Sequence, residues 1–131
     1  MPYLWVAIGG ALGSMARYGV SGVVAGLTGG AFPYGTMVAN VTGALLIGFL
    51  ATFTGPDSRF FVPASGRLLL MTGLCGGYTT FSTFSLETVN LMRDGEWTGA
   101  LANIGFSVIL CLLAIWIGHA CAVGLNRLKG A

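Results

Sequence analysis

Charge is what this chain has least of. Of its 131 residues only 8% are Asp, Glu, Lys or Arg, six basic and four acidic, and there is a single histidine. A soluble domain carries roughly 25% charge. The low charge, with 55% hydrophobic residues and a mean hydropathy of +0.84, excludes a water-soluble globule and points to an integral membrane protein. The scarcity of acids and histidine also removes most catalytic chemistry. No Ser-His-Asp arrangement, paired intramembrane carboxylates, HExxH or phosphate-binding glycine loop after a strand occurs, so no enzyme is expected. Cys75, Cys111 and Cys121 fall inside apolar stretches at spacings that suit neither a metal site nor a disulfide framework, and they are read as packing residues. The net charge of +2 says little about partners, and no nucleic-acid partner is expected. The N-terminal MPYLWVAIGGALG has neither the basic region nor the cleavage site of a secretory signal, so it reads as part of a retained helix.

Long apolar runs are what the chain does have. A span needs about 20 mostly apolar residues to cross the ~30 Å hydrocarbon layer. The expected fold is therefore all-α, a single four-helix transmembrane domain with spans near residues 3–27, 34–54, 67–93 and 97–126. So few helices cannot enclose a wide pore, and a transport path would run along a seam between subunits of a homo-oligomer. The first span carries Gly9-x-x-x-Gly13 and Gly22-x-x-x-Gly26, spacings that let helices approach closely in lipid. Arg17 lies well inside it, where a charge costs at least ~2.5 kcal/mol, so it either snorkels to an interface or faces an electropositive, anion-attracting vestibule. In the second span Thr36, Asn40 and Gly43 share one helical face. Asn40 is either interhelical hydrogen-bond glue or a polar group with a task in a pathway.

The third span holds the most informative stretch, Gly73 to Ser85, reading GLCGGYTTFSTFS. Glycines and a dense run of hydroxyls at mid-membrane depth are costly unless they line a protected cavity, which predicts a helix broken mid-membrane. Phe81 and Phe84 then fall on one face beside Ser and Thr hydroxyls. Glu87 is placed near the far interface, where its charge is solvated. In the fourth span Asn103, Ser107 and Cys111 recur every four residues as a polar stripe, and the lone His119 is an interfacial or hydrogen-bonded residue rather than a ligand. Arg59, Arg67, Arg127 and Lys129 fall on one side, against Arg93 and the deep Arg17 on the other. So small a bias permits insertion both ways, and with it an antiparallel dimer.

Neutral donors (Asn40, Thr83, Ser107) and aromatic ring edges (Phe81, Phe84) suit a small anion that must also leave. Backbone carbonyls exposed from about Gly76 to Thr79 could hold a small cation on a two-fold axis.

The run GLCGGYTTFSTFSLET, with GTMVANVTG in the second span and the arginine late in the first, resembles the Fluc (CrcB-type) family of fluoride channels over essentially the whole chain. The resemblance implies an antiparallel, dual-topology homodimer in a prokaryotic inner membrane, with two pores that passively export fluoride from the cytoplasm, and a structural Na+ at the dimer axis. By position, Phe81 and Phe84 match the family's aromatic box, Asn40 its pore-facing asparagine, Ser107 and Thr83 its polar track, Arg17 its vestibule arginine, and Gly76 and Thr79 its sodium-binding carbonyls. Thr36 joins the pore set. Cys111 and Asn103 stand where some members have serine and tyrosine. Two other classes compete with this reading. A small dual-topology multidrug exporter needs a carboxylate in the first helix, which here carries Arg17 and no acid. A non-transporting scaffold would use these residues only for packing, and does not explain why they gather at one break.

Overall fold

The computed structural model describes residues 1–58 and 60–128; Arg59 and Lys129, both part of the basic-residue count above, lie outside the described residues. All regular structure among the described residues is helical. Helix α1 (Pro2–Thr28) opens on a proline in its first turn and stops at Gly29, whose φ of 78° reverses the chain while its N–H donates to Ala25 O. Helix α2 (Tyr34–Phe53) starts directly after Pro33. Arg67 closes its far end, giving Nη1 hydrogen bonds to Thr54 O at 2.6 Å and Thr54 Oγ1 at 3.0 Å.

The next stretch is helical but not uniform. Helix α3 (Ala64–Arg67) passes into a π-helical segment, Leu68–Cys75, and then into α4 (Gly76–Tyr78), with right-handed helical dihedrals at both junctions. At Thr79 and Thr80 the backbone becomes extended, with φ/ψ of −90°/156° and −151°/118°. Helix α5 (Phe81–Arg93) begins afresh there, its first turn capped by Thr80 Oγ1 accepting from Thr83 N at 3.1 Å. A turn at Gly95 leads into the 32-residue α6 (Trp97–Leu128).

Packing is turned inside out relative to a soluble protein. Among the most deeply buried residues are Ala39, Ala100 and Ala122, each 0% exposed, while Trp116, Leu112 and Phe106 stand 59–69% exposed on α6. In water that exposure would drive aggregation; in lipid it is the natural outer face. Helices α2 and α6 are long and apolar enough to cross a membrane.

Helix–helix seams are made by glycine. Gly9 and Gly13 of α1 lie against Leu69–Tyr78, and a Cβ on Gly73 would come within 2.8 Å of Gly9 Cα. The paired residue numbers rise together, so α1 and this stretch run in the same direction. Helices α2 and α6 are parallel too. A Cβ on Gly48 would lie 2.9 Å from Ile115 Cα, and one on Gly118 would lie 2.8 Å from Phe49 N. The other predicted pair behaves differently: Gly22 and Gly26 face open space within the subunit.

Candidate functional site

The break between α4 and α5 lies beside a groove of about 360 Å³ formed with α2 and α6. Asn40, Thr79, Thr80, Phe81, Phe84 and Ser107 line it, with Cys111 further along α6. Interrupting a helix strands backbone groups, and one unpaired in an apolar setting costs roughly 2–7 kcal/mol. Asn40 removes that cost for Thr80. Its Nδ2 donates to Thr80 O at 3.0 Å and its Oδ1 accepts from Thr80 N at 2.7 Å, so both polar groups of that residue are paired by one side chain. Gly43, one turn further along α2, makes room for the break: a Cβ there would come 2.9 Å from the Tyr78 ring, whose hydroxyl pairs with Thr42 Oγ1 at 2.8 Å.

The carbonyls at the end of α4 divide into two sets. Cys75 O accepts from Thr79 N at 3.0 Å and Thr79 Oγ1 at 2.9 Å. Gly77 O accepts from Arg17 Nε at 3.3 Å, with Ser14 Oγ at 3.5 Å. Among the described residues no hydrogen bond reaches Gly76 O or Thr79 O. These are unpaired hard oxygen donors, the type that suits a small hard cation.

The two phenylalanines differ in environment. Their ring centroids are 5.4 Å apart with planes at 48°, yet Phe84 is 8% exposed and Phe81 78%. Ser107, 6% exposed, lies across the groove on α6. The structure thus brings together Asn40, Thr79, Phe81, Phe84 and Ser107 around the groove, and places Gly76, Arg17, Thr83 and Thr36 outside its lining. Half-buried Arg17 reaches the end of α4, and no carboxylate pairs with it among the described residues. Thr83 accepts from Thr80 Oγ1 at 3.1 Å inside the cap of α5. Thr36, 6% exposed, donates to Glu87 Oε1 at 2.8 Å.

That last bond changes the picture of Glu87. Solvation was expected, but the carboxylate is turned inward, one oxygen on Thr36 and the other, Oε2, buried without a partner. Thr88 was missed altogether. It is 5% exposed and accepts from Asn103 Nδ2 at 2.9 Å, joining α5 to α6. The four-residue spacing from Phe84 to Thr88 was the available signal. His119 pairs through Nδ1 with Thr52 Oγ1 at 2.7 Å.

Helices apolar on the outside, glycine-packed within, and interrupted beside a groove of neutral polar groups define a small helical membrane protein. A sequence profile described as "CrcB-like protein, Camphor Resistance (CrcB)" matches residues 4–119, and the chain belongs to this CrcB family. It is 57% identical over 131 residues, the whole of both chains, to a protein of Methylocella silvestris named "Fluoride-specific ion channel FluC". Proteins of the same name from Opitutus terrae (56% identical; 98% of each chain) and Rhodospirillum rubrum (52%; 97% of this chain and 98% of the relative) are similarly close. These relatives are named as ion channels, not as enzymes.

Proposed function

We propose that this chain is a fluoride channel of the bacterial inner membrane, spanning it four times, which lets fluoride leave the cytoplasm passively and so relieves its toxicity. The observation that carries this reading is the groove, where an amide, hydroxyls and two phenylalanine rings converge and no carboxylate is among the lining residues. A ring edge is the positive end of the aromatic quadrupole, so Phe81 and Phe84 can face an anion. Asn40 keeps one Nδ2 hydrogen beyond its bond to Thr80, and that hydrogen can replace part of the ion's water shell. Arg17, reaching the break from α1, raises the local potential for anions.

The groove is open in one subunit, and Phe81 is 78% exposed. Polar groups left facing hydrocarbon are costly, so a second copy closes the groove. An antiparallel homodimer does this twice, giving two pores and leaving the outer apolar faces to lipid. Gly76 and Thr79 of both subunits then offer their free carbonyls to one structural Na+, whose charge offsets repulsion between anions. Among the described residues of α1 there is no acid, which removes the carboxylate that a proton-coupled multidrug exporter would use there.

The deciding experiment is fluoride efflux from liposomes holding the purified protein, followed with a fluoride electrode while chloride is measured in parallel. Rapid loss of fluoride with chloride retained is expected. No fluoride efflux from a folded dimer in sodium would overturn the reading and bring the exporter and scaffold forward.

A further inference from the structure

Three buried side chains behind the groove form a hydrogen-bond chain with only one possible direction. Thr88 Oγ1 lies 2.7 Å from Phe84 O, Asn103 Nδ2 lies 2.9 Å from Thr88 Oγ1, and Ser107 Oγ lies 3.3 Å from Asn103 Oδ1. A carbonyl can only accept, so the single hydroxyl hydrogen of Thr88 goes to Phe84 O. Thr88 oxygen is then an acceptor, and Asn103 must present its NH2 to it. The Asn103 carbonyl is thereby turned to Ser107, and Ser107 must donate. Thr88 and Asn103 are 5% and 1% exposed and do not line the groove, so water does not stand in for either of them.

The consequence appears in the groove, which Ser107 lines. Its one hydrogen points backward and it turns lone pairs toward the cavity. An anion there can take a hydrogen bond from Ser107 only if the hydroxyl swings round and leaves the buried Asn103 carbonyl unpaired, which is unfavourable. We infer that Asn103 is a positioning residue that orients the Ser107 hydroxyl away from the passing anion and so keeps fluoride weakly held at this point of the path. This inference rests on the channel reading above.

The test is a double-mutant cycle on fluoride flux in liposomes, measured against fluoride concentration. Asn103→Leu frees the Ser107 hydrogen and leaves Thr88 paired, so half-saturating fluoride should fall roughly three- to tenfold, with a lower maximal rate. In a Ser107→Ala background the same substitution should change neither. Asn103→Ala removes the same carbonyl with a smaller side chain, should act like Asn103→Leu, and serves if Asn103→Leu does not fold. An unchanged half-saturation, or a change that persists without the Ser107 hydroxyl, overturns the inference. A second readout needs no flux. Ser107→Cys introduces an S–H group whose infrared stretch, isolated by subtracting the wild-type spectrum, should sit lower with Asn103 present than with Asn103→Leu. Equal frequencies overturn the inference. Wild-type protein that passes no fluoride while the band shift remains would remove the channel reading and the anion's part in this one, with the direction of the hydrogen bond upheld.

Discussion

Two kinds of seam hold this molecule together. Where α1 meets Leu69–Tyr78, and where α2 meets α6, glycine lets backbone lie on backbone. Helix α5 is joined to its neighbours by polar side chains instead, through Thr36 to Glu87 and Asn103 to Thr88. Lipid supplies no hydrophobic push between helices, so both seams rely on contact and hydrogen bonding. The dry seams tolerate no added atoms. The polar seam tolerates shape changes but not loss of a partner, because a buried donor or acceptor would be orphaned. The candidate path follows the polar seam, which is where groups able to replace an ion's water shell are available.

The comparison is broken most severely at a dry seam. Gly118→Leu would drive a branched side chain into the α2 backbone at Leu45 and Phe49, costing about 3 kcal/mol or more. Loss of the monodisperse peak of folded protein on size exclusion in detergent is expected; an intact peak would show that the seam can open. The next largest effect is at the groove. Asn40→Asp removes the donor to Thr80 O, and Phe81→Ile removes an exposed ring whose loss costs the subunit little. Each should abolish fluoride efflux from liposomes with the protein still folded, and wild-type flux from either would withdraw that residue from the site. The smallest effect sharpens the contrast. Gly22→Ala meets nothing within the subunit and should leave its thermal unfolding by circular dichroism within about 0.5 kcal/mol of wild type. A larger destabilisation would mean that this second glycine pair also forms a seam.

Sequence made the interruption legible because its glycines and hydroxyls are out of place in an apolar run. Asn40, Phe81, Phe84 and Ser107 could be picked out for the same reason, and the structure gathers them around one groove. The two glycine pairs of α1 could not be ranked. Their spacing is identical, and only the neighbour distinguishes them, since Gly9 and Gly13 meet another helix where Gly22 and Gly26 do not. The inward turn of the Glu87 carboxylate could not be read because its partner, Thr36, is 51 residues away on α2, and no local pattern announces such a bond. The π-helical Leu68–Cys75 left no trace in LLLMTGLC, which has too few polar residues to reveal a period.

Asn40 carries one last consequence. A carboxamide is chemically a peptide link without a chain on either side, and Asn40 presents it to Thr80 as a neighbouring strand would present its own backbone. The position at which one helix can be cut is therefore written on a different helix, forty residues earlier. Moving that amide a turn along α2 would shift the only place where the gap is chemically permitted, so the two segments can change their spacing along the sequence only together.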